Sequence, residues 1–328
     1  MNKLLLFVLV LGSIKSLSAQ YATVPNTAGT TAIKKDSSII EAWATGIEIQ
    51  RGYLDINDKS VMLSGSNKVN FGDPSEGLYA AEGNSSNIVS LGDSGIAIVN
   101  FASTIYNGVG PDFAVYENGF ANDYIELAFV EVSSDGIHYV RFPASSLYQT
   151  TTQVGNYDFA SCESVNNLAG KYRQGYGTPF DLEELKDSAN LDVNAISHIK
   201  LVDVIGSITN IGSIDTAGNR INDCYPTPFA SGGFDLDAVA TMHMNPLRID
   251  ENQLNSVSVY PNPTKGNITI HSFNNGEIKL SDLSGTIVFQ QEISNHFQID
   301  LSSFSNSILV GTFNDGLNVS HFKIVIEQ

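Results

Sequence analysis

The chain has 328 residues and a formal net charge of −18, with 17 Lys and Arg set against 35 Asp and Glu. A field of that sign repels phosphate backbones and anionic lipid, which excludes nucleic acid as a partner and favours cations or neutral ligands. Plain solubility is the other use of such acidity, and the length suits one domain of roughly 225 residues followed by one of about 70.

The first element in chain order is a leader. Lys3 opens a basic end, Leu4 to Leu11 form an apolar block, and Ser16 to Ala19 supply the small residues a signal peptidase requires, so residues 1–19 read as a signal peptide. The apolar block is shorter than the about 20 residues a membrane-spanning helix needs, and no later stretch is longer, so the mature chain is expected to lack a transmembrane segment. Export exposes the only two cysteines, Cys162 and Cys224, to an oxidising compartment. One disulfide between them is the expectation, worth about 4–5 kcal/mol in the chain-entropy account.

Residues 20–245 predict an all-β module. Alternating apolar residues mark strands over Ser94–Phe101, Asp112–Gly119, Tyr124–Gly136, Ile137–Pro143, His198–Gly206 and Gly233–Met244. Asp135-Gly136 predicts a hairpin, since that pair accepts the positive φ of a tight turn. Asp181–Asn190 is the one helical turn, led by acids and spaced by leucines. Alternation fades over residues 246–255, a linker, and a second β unit fills 256–328, where Gly266 and Ser284-Gly285 mark turns.

That second unit resembles the type A sorting domain of the type IX secretion system of Bacteroidota. The segments that carry the likeness are "VYPNPTKGNITI" (259–270), "IKLSDLSGTIV" (278–288), "FQIDLSSF" (297–304) and the closing "HFKIVIEQ" (321–328). The resemblance implies a small Ig-like β-sandwich that addresses the protein to the secretion machinery and thence to release or anchoring at the outer surface. In the main module, "VEVSSDGIHYVRFP" (130–143) and "GFDLDAV" (233–239) resemble strands of galactose-binding-like and discoidin-type folds, which implies a jelly-roll β-sandwich. With three further segments, 110–120, 167–182 and 223–239, they also resemble a group of Bacteroidota surface proteins that carries no assigned activity.

Two constellations are candidates for binding. Asp112, Glu117, Asn118, Asp215, Asn219, Asp223, Asp235 and Asp237 crowd strand ends, and hard oxygens gathered from loops are what a structural Ca²⁺ ion requires. The same residues also serve as turn caps throughout β proteins. The stretch from Asn156 to Phe180 collects Tyr157, Tyr172, Tyr176 and Phe180 around Lys171 and Arg173, an arrangement suited to stacking on a flat ligand such as a sugar. Packing of those rings onto the sandwich is the alternative, and Trp43 reads as core.

Catalytic patterns are lacking. "GDSG" (92–95) echoes a protease nucleophile loop, but the first histidine is His138, downstream of it, so the segment reads as a turn. GxSxG, HExxH, P-loop and dinucleotide patterns do not occur. Three functions follow in order: capture of a glycan or another nutrient, such as a cobalamin-type cofactor, on a calcium-stabilised sandwich; hydrolysis of a glycoside by a carboxylate pair, which leaves no motif; or a purely structural or adhesive surface role.

Overall fold

The computed structural model describes residues 21–246, 257–272, 274–294, 296–316 and 319–327. The expected signal segment and residues 247–255 of the expected linker lie outside them. The chain separates into two compact units that divide between Pro246 and Leu247.

The first unit is built from short antiparallel strands. In chain order these are β1 (Ile33–Lys34), β2 (Ala42–Trp43), β3 (Gly46–Gln50), β4 (Val89–Ser90), β5 (Ile96–Ile105), β6 (Phe113–Glu117) and β7 (Ala128–Ser133). There follow β8 (Val140–Arg141), β9 (Ser145–Ser146), β10 (Val165–Asn166), β11 (Leu168–Ala169), β12 (Tyr176–Phe180), β13 (Ile196–Asp203) and β14 (Asp235–Thr241). One sheet runs β1-β12-β6-β14-β2 with β4 added on β14; the other runs β11-β7-β13-β5-β3 with β8 added on β7. Consecutive long strands therefore cross from sheet to sheet, from β5 to β6 to β7 and again from β12 to β13 to β14.

Alternation along each strand decides what the sandwich encloses. Val99, Val130, Val132, Ile199 and Leu201 come from one sheet; Phe113, Val115, Phe180, Leu236 and Val239 come from the other, and all are buried in a single cluster. Phe113 and Phe180 stack with centroids 5.2 Å apart. The opposite residues of β6 and β14, Ala114, Tyr116, Ala238 and Ala240, bury a second cluster beneath the N-terminal strands. Trp43 packs there on Tyr116 at 5.3 Å, as core. Because both faces are covered, β6 and β14 are buried along their whole length.

The hairpin expected at Asp135-Gly136 joins β7 to β8, but by a wider loop: pairing resumes at Val132 opposite Val140. Gly136 takes the positive φ (75°), while the Asp135 carboxylate accepts from the backbone N–H groups of Ile137 and His138. The helical turn is a 3₁₀ segment, Leu182–Leu185, capped by Asp181. "GDSG" is a turn, with Gly92 and Ser94 both at positive φ.

Cys162 and Cys224 depart from expectation. Both are free thiols buried in one apolar cluster with Leu127, Val165 and Tyr172. In that setting they act as small apolar side chains, and burial pushes the Cys162 thiol up to about 11, out of its reactive range.

The second unit contains β15 (Val257–Tyr260), β16 (Asn267–Ser272), β17 (Gly276–Ser281), β18 (Ile287–Ile293), β19 (His296–Asp300), β20 (Ser307–Asn314) and β21 (Val319–Ile326). Three of them form the sheet β15-β16-β19 and four form β18-β17-β20-β21, closing a small core of Ile268, Ile270, Ile278, Leu280, Leu309 and Ile324. Ser284-Gly285 lies in the β17–β18 turn, with Gly285 at φ 85°.

Candidate functional site

The functional candidates gather where β6 ends and β14 begins. A cavity of about 290 Å³ opens there, at the lower end of the about 300–1,000 Å³ typical of small-ligand pockets. Its walls come from four stretches: the β6–β7 connection (Asn118, Phe120, Tyr124, Glu126), Asn156 and Tyr157, the loop before β14 (Thr227, Phe229, Ser231, Gly232), and Asp235 of β14 itself. Ser85 completes the rim.

Register places these groups. On β14, Leu236 turns into the sandwich core, so its neighbour Asp235 faces the other way, toward the end of β6. Asn118 Nδ2 donates to Asp235 Oδ2 at 3.0 Å, joining the two strand ends. Glu126 is carried two residues ahead of β7, where Gly170 presses against it: a Cβ on Gly170 would meet the Glu126 carbonyl oxygen at 1.7 Å, and the residue sits at φ 82°. Only glycine permits that approach.

Aromatic rings ring the opening. Phe120 and Tyr124 lie with centroids 4.3 Å apart, and the Tyr124 hydroxyl donates to the Asn156 carbonyl at 3.1 Å. Tyr157, Phe120 and Phe229 are exposed by 76%, 56% and 42%, which places ring surface at the mouth of the cavity.

Below the rings the site is acidic. Glu126 and Asp235 are 7% and 5% exposed, and Glu117, beside Asn118, is 1% exposed. Burial, then repulsion from Asp235, raises Glu117; burial, then repulsion from Asp235 and Glu117, raises Glu126. Burial pushes Asp235 up to about 7, against the opposing pull of Ser90, Asn118 and Arg51. The acidic region continues inward through Asp223, pushed by burial up to about 7, and through Asp203, raised by burial and by Asp93. Burial of this kind moves the titration of carboxyl groups up toward neutral pH. Glu117 Oε1, Asp235 Oδ1 and Asn156 Oδ1 are buried with no hydrogen-bond partner.

The aromatic loop expected from the sequence contributes one residue here, Tyr157. Tyr172 is 1% exposed and its hydroxyl pairs with Thr31 at 2.8 Å; Phe180 is 1% exposed in the main core. Lys171 is 3% exposed, with Nζ donating to the Val165 carbonyl at 2.8 Å. Arg173 lies over Tyr176 at 4.9 Å, and the Tyr176 hydroxyl bonds Asn26. Tyr172, Phe180 and Lys171 are committed to packing, because β11 and β12 carry the loop into the sheets, while Arg173 and Tyr176 are half-buried and do not line the cavity.

The expected calcium ligands divide likewise. Glu117, Asn118, Asp223 and Asp235 fall in or behind the cavity. Asp112, Asp215 and Asp237 instead cap backbone. Asp112 accepts from the N–H groups of Gly108 and Leu182 and from His243 Nδ1, each at 2.7 Å. Asp237 accepts from Glu82 and Gly83, and Asp215 from Ser146, Ala217 and Asn219, whose side chain also donates to it. Lone pairs occupied by N–H groups are not offered to a metal. Among the described residues no group of three or more His, Cys, Asp or Glu is arranged to hold a metal ion.

Sequence reasoning missed Phe120, Tyr124, Glu126, Asn156 and Phe229. The usable signal was positional: the β6–β7 connection places two rings and two amides between consecutive buried strands.

Residues 258–327 match the family model of the secretion system C-terminal sorting domain. The second unit is a type IX sorting domain. The protein is therefore exported by the type IX machinery and is secreted or anchored at the outer surface. No helix among the described residues is long and apolar enough to cross a membrane.

For the first unit the comparisons are thin, and no curated protein matches the chain. Similar solved structures include Faecalibacterium prausnitzii β-glucuronidase, at 12% identity over 90% of this chain and 46% of that one, with a TM-score of 0.20. Ruminococcus gnavus β-glucuronidase in complex with uronic isofagomine matches at 12% identity over 71% of this chain and 35% of that one, with a TM-score of 0.18. The chain spans less than half of each enzyme, and superposition this poor transfers neither fold nor activity. The likeness of the main module to discoidin-type folds receives no support beyond the shared sandwich architecture.

Proposed function

We propose that the protein captures a glycan or a comparable hydroxyl-rich nutrient at the cell surface, in the cavity between the ends of β6 and β14. The observation that carries this reading is the pairing of exposed rings, Phe120, Tyr157 and Phe229, with a polar floor of Asn118, Asn156, Glu126 and Asp235. Sugar rings stack their C–H faces on aromatics and bond their hydroxyls to carboxyl and amide groups, so both halves of the wall have a use. A cobalamin-type cofactor is several times larger than the cavity and fits less well. A structural or adhesive role leaves the exposed rings and the orphaned polar atoms without a purpose.

The test is titration calorimetry of the full mature protein against a saccharide panel, with Phe120→Ala and Tyr157→Ala beside it. Binding that weakens about 5- to 150-fold in each variant is expected, since losing a stacked ring costs about 1–3 kcal/mol. A saccharide bound equally well by both variants, or no binding across the panel, refutes the reading. The same titration repeated with EDTA and with added Ca²⁺ tests the structural calcium expected from the sequence.

A second reading, glycoside hydrolysis by Glu126 and Asp235, is favoured by one observation. Two carboxyl groups face a single cavity, and burial holds Asp235 up to about 7, where a general acid still carries its proton. Reducing-sugar release from the same panel, abolished by Asp235→Asn, supports it; binding without turnover retires it.

A further inference from the structure

The cavity holds two acidic groups that its lining leaves without a basic partner. Glu126 and Asp235 both line it, each more than nine-tenths buried, and no Lys, Arg or His lies among its lining residues. Asp235 spends Oδ2 on Asn118, while its buried Oδ1 meets no donor in hydrogen-bonding geometry and has only the neutral Ser90 hydroxyl acting on the carboxyl group. Glu117, next to the cavity-lining Asn118, accepts from the Gly119 N–H through Oε2 and leaves the buried Oε1 unpartnered. Arg51 is the basic group that acts on Asp235, but its guanidinium is already committed to the carbonyls of Phe71, Gly72 and Ser90.

Ligand classes differ in what they do with these groups. A neutral saccharide stacks on the rings and bonds the acids through its hydroxyls, but brings them no cation. A uronic acid brings an anion to a wall with no basic group to hold it. A cationic nitrogen satisfies both halves of the wall, because the face of an aromatic ring attracts a cation and an ammonium donates three hydrogen bonds to acidic oxygens. Phe120 and Tyr157 offer exposed ring surface, and Glu126 and Asp235 the oxygens.

The geometry points to a ligand of the amino-sugar class, a hydroxyl-bearing ring whose free ammonium group is held by Glu126 and Asp235. This inference rests on reading the cavity as a ligand site and narrows what that site accepts. Burial raises both acids in the free protein, and repulsion from Asp235 adds to it at Glu126, so an incoming ammonium favours their ionised forms and drives off the protons they still hold. Binding is then linked to proton release.

The experiment compares glucosamine, N-acetylglucosamine and glucose as probes of the full mature protein, by calorimetry at pH 7.5 in two buffers of different ionisation enthalpy. Glucosamine is expected to bind at least about tenfold more tightly than the other two, with proton release, and to lose about 10- to 100-fold in Glu126→Gln. Should that variant fail to fold, the wild-type preference and its decline at pH 5 carry the same information. N-acetylglucosamine or glucose bound as well as glucosamine overturns the inference and leaves glycan capture standing. No saccharide bound at all removes both. Tight Ca²⁺ binding that excludes glucosamine also overturns it, by showing the carboxylates to be metal ligands.

Discussion

Acidification should make this protein more stable over a range in which most proteins change little. In the unfolded chain the aspartates titrate near 3.8, whereas burial holds Asp223 and Asp235 up to about 7 in the folded protein and Asp93 up to about 6. Between those values the folded state binds more protons than the unfolded state, so the stability contributed below pH 4 is lost as pH rises through 7. Each such group is worth up to about 1.4 kcal/mol per pH unit, and Asp223 alone removes about 2 kcal/mol between pH 5 and 7. The groups around it act in the same sense. Glu117, Glu126 and Asp203 are also raised, first by burial and then by neighbouring carboxylates, Asp235 beside the two glutamates and Asp93 beside Asp203, and Arg51 offsets only part of the penalty at Asp235. Asp223 receives N–H groups from Leu127 and Cys224, but no cation. Opposing carboxylates act only at lower pH. His138 holds Asp135 below the usual range, and at Asp215 burial is outweighed by hydrogen bonds from Ser146 and Asn219, so both lose their contribution as pH falls below about 4. Urea unfolding of the ligand-free protein at pH 5, 6, 7 and 8 should therefore give a free energy that falls by several kcal/mol toward pH 8. A flat profile, or one that rises with pH, would show that these carboxyl groups are not desolvated in the folded state and would remove the physical basis of the acidic cavity.

Further outcomes follow from single residues. Asp112→Ala strands the buried N–H groups of Gly108 and Leu182 and should cost about 2–5 kcal/mol in urea unfolding, with ligand affinity unchanged, because this carboxylate ties strands together and lies away from the cavity. Phe180→Ala removes a ring stacked on Phe113 and should cost about 3–5 kcal/mol. Cys162 and Cys224 should both titrate with a thiol reagent in urea without reductant, and neither should react in the native protein. Deletion of residues 257–328 should abolish appearance of the protein outside the cell, read by immunoblot of surface and medium fractions against the full-length chain.

Much of the architecture was legible because period-two alternation is written directly into the strands. The run Ile96–Ile105 and the segment Asp235–Thr241 both became long members of their sheets. What alternation does not encode is which face of a strand a neighbouring sheet covers. Tyr172, Phe180 and Tyr157 look alike in a glycine-rich stretch, yet β11 and β12 draw the first two inward and leave Tyr157 on the rim. Asp112 and Asp235 are both acids flanking an apolar strand. Backbone N–H groups converge on Asp112 and saturate it, whereas one oxygen of Asp235 meets none. Glu126 was hidden for the opposite reason: within Tyr124–Gly136 it reads as one polar position of a strand, and only the close approach of Gly170 shows that it precedes β7 and faces a cavity. The cysteines were misread because compartment suggests a bond while the local packing only requires small apolar side chains.

A crystal structure of the full mature protein grown with glucosamine tests the account most directly. Density for a sugar ring against Phe120 and Tyr157, with its nitrogen within hydrogen-bonding distance of Glu126 or Asp235, is the predicted result. A cavity that stays empty while the ligand binds elsewhere on the sandwich, or one closed by the collapse of Phe120 and Tyr157 into it, would contradict it.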